Sequence, residues 1–188
     1  MKRKGLFCAR NAILFFVFFL LTNFIINGKP FGLAKLMEIT GGHSILDMEL
    51  MGYSVDRAYE ILDHLGAEGR SFHLKYIMPI DIIFPLSYGL FYFITLTLIV
   101  KELWKKVNKP WLIGFIGLAA MLFDWLENIM IFILLNNYPN RMDGIVRIAN
   151  RFTQVKSFFI IISMTLIASG LIALAFKTFA VKRKADSV

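Results

Sequence analysis

Four stretches of the chain stay apolar long enough to cross a bilayer: residues 11–27, 77–100, 110–136 and a last one whose core is 157–176. A hydrocarbon core roughly 30 Å thick takes about 20 residues of helix, so each stretch predicts one span. The predicted fold is an all-α, integral membrane four-helix bundle forming a single domain over residues 1–188, with helices at about 11–27, 77–100, 110–136 and 153–180. Residues 28–76 form the longest polar stretch and read as an extracytoplasmic loop. Within it, "SVDRAYEILDHLG", Ser54 to Gly66, opens on a capping serine, repeats Ala58, Ile61, Leu62 and Leu65 at helical spacing, and closes on a glycine. It predicts a short amphipathic helix that lies on the membrane surface or lids the bundle. Asp143 and Gly144 read as the cap of the fourth helix. Ile148, Phe152 and Val155 then keep helical spacing, so that helix starts ahead of the hydrocarbon, with Arg147 and Arg151 one turn apart.

Composition agrees with a membrane protein, since 57% of the residues are hydrophobic. Lys2, Arg3 and Lys4 precede the first apolar stretch as they would in a signal peptide. The residues after it, "TNFIINGKPFG", lack a small-x-small cleavage pattern, so the stretch is expected to stay as a helix. The net charge of +8 falls mainly in three clusters: Lys2, Arg3, Lys4 and Arg10; Lys101, Lys105, Lys106 and Lys109; and Lys177, Lys182, Arg183 and Lys184. With four spans, all three fall on one side. By the positive-inside rule that side is the cytoplasm, giving a cell-membrane protein with both termini cytoplasmic. The clusters serve membrane lipids better than nucleic acid, because no aromatic-interleaved groove or nucleic-acid motif accompanies them. The single cysteine, Cys8, excludes an internal disulfide and a thiol metal cluster. His43, His64 and His73 match no metal spacing and read as solvated loop residues. No cofactor motif is present, and the sequence carries no signal for an oligomeric state.

The chemistry lies in polar residues inside the apolar stretches. "FDWLENIM", residues 123–130, puts Asp124, Glu127 and Asn128 into an otherwise uncharged run. A charge at a helix centre costs roughly 2.5–3.5 kcal/mol on insertion scales, so such groups face protein or water. At 1.5 Å per residue from Pro110, Asp124 lies about 20 Å along the third helix, in its middle or outer half. The other helices bring polar residues to the same level: Asp81, Pro85, Tyr88 and Tyr92 share one face of the second, Asn23 and Asn27 stack in the first, and Thr153 and Lys156 enter with the fourth. Pro79 marks the start of the second helix, and Pro85 kinks it. Gly114, Gly117 and Ala120, with Ser169 and Ala173 of the fourth helix, are expected at close helix contacts.

A polar pocket open toward the outer surface is therefore expected. Asp81, Tyr88, Asp124, Glu127, Asn128 and Lys156 form it, with Asn23, Asn27, Arg151 and Thr153 in support. Lys156 is expected to pair with Glu127, which leaves Asp124 and Asp81 as surplus carboxyls. Such a surplus must be protonated, hydrated or occupied by a cation, and the last case is a pocket for a small cationic or lipid-like ligand. Two other classes use the same residues differently. A membrane-embedded lipid-modifying enzyme would use the carboxylates as acid and base. A structural or regulatory subunit would use the cluster only to hold its helices together.

Overall fold

The computed structural model describes residues 6–43 and 45–185. Lys2, Arg3 and Lys4 of the first basic cluster, and Ser44 in the loop, lie outside the described residues, as do the side chains of Lys182 and Lys184. Every regular element among the described residues is helical. In chain order they are α1 (Ala9–Asn27), α2 (Leu33–Ile39), a 3₁₀ turn (Leu46–Met48), α3 (Val55–His64), α4 (Gly66–Phe72), a π turn (His73–Ile77), α5 (Met78–Leu103), α6 (Trp111–Asn137) and α7 (Asp143–Ala185). Four helical runs are long and apolar enough to span a membrane: α1, the continuous run Gly66–Leu103, α6 and α7.

Two starts differ from the sequence reading. The second span does not begin at Pro79, because the helix runs back to Gly66 through the π turn, which widens it just ahead of a proline with no N–H to give. Asp143 is the first residue of α7 instead of its cap, where its charge favours the helix N-terminus. The helix does begin well before its apolar stretch.

At the centre stands α5, with α1 on one side and α6 on the other, while α7 packs on both α6 and α5. Small residues set the closeness of these crossings. A Cβ on Gly89 would come within 2.7 Å of Met121 Cβ, and one on Gly117 would overlap Tyr92 Cβ. Ala120 is fully buried in the same seam. On α7 the expected pair fails, since Ser169 and Ala173 are exposed. Ser163, Ile167 and Gly170, spaced four and three apart, form the buried face instead, with Gly170 against Ile99.

The segment between α1 and α5 folds into a cap over one end of the bundle. Ser54 caps α3 by accepting a hydrogen bond from Arg57 N at 3.1 Å. Ala58, Ile61, Leu62 and Leu65 then pack on Leu36 and Leu46 within the cap and on Ile131, Leu134, Val146 and Ala149 of the spanning helices. Of the two expected positions for α3, the lid is the one observed. The cap is pinned to α7 where Tyr53 N donates to Asn150 Oδ1 at 2.8 Å. Gly52 makes that approach possible: its φ is +93°, and a side chain there would run into Asn150 and Gln154.

Candidate functional site

The site begins with a proline. Pro85 lies inside α5 and has no N–H, so the carbonyl of Asp81, four residues earlier, loses its helical donor. A side chain of α6 repairs the gap, since Asn128 Nδ2 donates to Asp81 O at 3.1 Å, and Trp125 Nε1 of the same helix donates to the next carbonyl, Ile82 O, at 2.9 Å. This satisfies the backbone where no water is at hand, and it fixes Asp81 beside α6.

One turn deeper, α6 and α7 share a charged knot. Lys156 bridges Glu127 Oε2 and Asp124 Oδ1, the latter at 3.4 Å. Thr153 Oγ1 donates to Glu127 Oε1 at 2.6 Å, and Tyr88 OH donates to Asp124 Oδ2 at 2.6 Å. Glu127 is completely buried and Lys156 is 5% exposed, so each charge depends on these partners. Lys156 therefore serves both third-helix acids, and Asp124 is not among the surplus carboxyls.

The surplus is Asp81 and a residue from the cap, Asp47. Asp81 is 5% exposed and makes no side-chain hydrogen bond or ion pair with the described residues. Asp47 sits in the 3₁₀ turn, and neither of its buried carboxyl oxygens has a hydrogen-bond partner. Burial raises the Asp47 carboxyl above the ordinary carboxylate range, and the charge of Lys156 opposes that shift. Its neighbour His73, 3.6 Å away at Nε2, is 1% exposed, and both ring nitrogens lack hydrogen bonds. His73 is thus no solvated loop histidine, because the helix starting at Gly66 carries it under the cap.

Asp47, Asp81, Asp124, Lys156 and Tyr88 form the polar end of a cavity of about 300 Å³. Apart from Asn27, its remaining walls are apolar or aromatic, with Phe19 and Ile26 from α1, Phe84 and Tyr92 from α5, Ile160 and Met164 from α7, and Met48 and Leu50 from the cap. Both α1 and α7 pack on α5, and each lines the cavity. The cavity lies in the groove between them. Such a site can hold a positive group between the two unpartnered carboxyls, near the Tyr88 and Tyr92 rings, and an apolar chain along the groove.

The expected residues divide accordingly. Asp81, Tyr88, Asp124 and Lys156 line the cavity, with Asn27 at its edge. Glu127 and Thr153 stand behind Lys156, and Asn128 stands behind Asp81. Asn23 is half-buried and outside the lining, its carbonyl accepting from Asn27 Nδ2 at 2.9 Å. Arg151 is exposed and bonded to Gln154 at 3.2 Å, away from the cluster, because it points from the opposite face of α7 to Lys156. Asp47 and Tyr53 were not singled out from sequence, and His73 was read only as a solvated loop residue. Asp47 stands in no periodic apolar run, so nothing local marks it as buried. No family model matches the chain, and no curated protein or solved structure is significantly similar to it.

Proposed function

We propose that this protein is a multi-pass cell-membrane protein that binds a small amphiphilic cation, a protonated amine on an apolar tail. The observation carrying this reading is the pair Asp47 and Asp81. Lys156, Tyr88 and Thr153 already serve the other two acids, so a positive group from a ligand supplies what these two carboxyls lack. The apolar groove between α1 and α7 supports a tail that enters sideways from the lipid. The lysine and arginine distribution supports termini on the cytoplasmic side and the cap outside, which gives the ligand an origin in the outer leaflet.

The test is thermal melting of the purified protein in lipid nanodiscs with dodecylamine, and with dodecanol as the control of equal length. Dodecylamine is expected to raise Tm while dodecanol leaves it unchanged. Asp81→Asn and Asp47→Asn variants should fold and lose that rise. Equal effects of amine and alcohol, or an unchanged amine effect in both variants, would overturn the proposal.

A further inference from the structure

On the face of α7 to which Arg151 points lies a surface groove of about 660 Å³ lined by Arg147, Ile148, Asn150, Arg151, Phe152 and Gln154. It shares no residue with the cavity of Asp47 and Asp81 and does not depend on how that cavity is used. Its two arginines stand apart from the other cations of the cap end. Lys29 and Lys35 share Glu38, Arg57 pairs with Glu49 and Glu60, and Arg141 pairs with Asp56 and Asp143. Arg70 and Lys75 lie over the rings of Tyr138 and Tyr76. Arg147 has no side-chain partner among the described residues, and Arg151 has only the neutral Gln154.

The pair is one helical turn apart, on one face of α7, where two like charges repel unless an anion lies between them. No carboxylate lines the groove, and Asp143, one turn before Arg147, is turned to Arg141 at 3.3 Å. The side-chain acceptors of the lining are already engaged: Gln154 Oε1 accepts from Arg151 Nη1 at 3.2 Å, and Asn150 Oδ1 accepts from Tyr53 N at 2.8 Å. What the groove offers an incoming group is therefore donors. Gln154 lies against Gly52 of the cap, so the guanidinium it holds presents its remaining N–H groups as a fixed planar fork, the geometry that suits a phosphate.

The face below the pair names the source of that phosphate. It continues along α7 through Val155 to Phe158 and Ile161, both exposed. On a helix of this length and hydropathy such exposure is to acyl chains. Arg151 stands seven residues, about 10 Å, ahead of Phe158, at the level of the lipid headgroups. We infer that Arg147 and Arg151 bind the phosphate of an anionic phospholipid, whose acyl chains run down α7 over Phe158 and Ile161. A zwitterionic head would bring its own cation to a site that already holds two, so the site prefers a lipid of net negative charge.

Native mass spectrometry of the full chain in a non-ionic detergent reads the site, with dioleoylphosphatidylglycerol and dioleoylphosphatidylcholine offered in equal amounts. The first lipid retained is expected to be phosphatidylglycerol. Arg147→Gln together with Arg151→Gln should weaken its binding by about tenfold, the scale of one charge-assisted hydrogen bond. Lys105→Gln together with Lys106→Gln removes the same charge from the opposite end of the bundle and should weaken it less. All four side chains are exposed, so both variants should melt with the parent in phosphatidylcholine nanodiscs. Glycerol phosphate, a head without chains, should not displace the lipid. Equal weakening by the two pairs of substitutions, equal uptake of the two lipids by the parent, or displacement by glycerol phosphate would overturn the inference.

Discussion

At the scale of single residues, the charged knot is a test of what buried ion pairs contribute. Lys156→Met leaves Asp124 and Glu127 without their cation and is expected to lower stability by about 3–5 kcal/mol, the usual cost of breaking one partner from a buried pair. Adding Glu127→Gln should restore most of that loss, and adding Asp124→Asn should restore less. Glu127 is fully buried and relies on Lys156 and Thr153, whereas Asp124 also has Tyr88 and Asn128. Thermal melts of the three variants decide it, and equal recovery by the two carboxyl changes would show that Lys156 does not favour Glu127. The sequence identified these acids and the lysine because ionisable groups in apolar helices have so few places to go. It did not separate the satisfied acids from the unsatisfied ones. That separation depends on Tyr88 and Thr153 reaching across from other helices, and on Asp47 arriving from a short 3₁₀ turn that stands in no periodic run.

At the scale of elements, α5 shows a local defect used to place a side chain. Pro85 opens the Asp81 carbonyl and Asn128 of α6 closes it, while Trp125 bonds the neighbouring carbonyl of Ile82, so the proline and the helix crossing are one arrangement. Pro85→Ala returns an N–H that can bond Asp81 O within the helix and compete with Asn128. The expected outcome is a protein as stable as the parent or more so, since proline in a helix interior costs about 3 kcal/mol. Asp81 would at the same time lose its fixed position, and the dodecylamine-induced rise in Tm should shrink. A variant that keeps the full amine effect would mean that Asp81 is positioned by the cavity walls and not by the proline. The four spans were legible because bilayer thickness fixes how long an apolar run must be. Less legible were α2, α4 and the π turn, whose residues, such as Gly66, Gly69 and His73, carry weak helical signals. Packing beneath α3 holds them as helix.

At the scale of the whole molecule, the two ends differ in how their basic residues are used. On the cap, Lys29 pairs with Glu38 at 2.8 Å, Arg57 with Glu60 at 3.0 Å and Arg141 with Asp56 at 3.1 Å. At the opposite end Arg10, Lys101, Lys105, Lys106 and Lys109 are exposed with no ion pair among the described residues. Lys177 there donates to the carbonyl of Glu102, at 2.7 Å. Lysines and arginines close to the ends of the spans hold their side in the cytoplasm, so the clusters at this end predict the cap outside and Cys8 inside. Cys8 is the single cysteine, which makes the prediction direct. A membrane-impermeant maleimide should leave Cys8 unlabelled in intact cells and label it after lysis. In a Cys8→Ser background, Ser71→Cys and Asn140→Cys, both at exposed cap-end positions, should label without lysis. Labelling of Cys8 from outside would invert the map and bring the cavity within reach of the cytoplasmic leaflet. The same Asp47 and Asp81 pair would then meet amines arising inside the cell, because the groove between α1 and α7 opens to whichever leaflet surrounds the cap end.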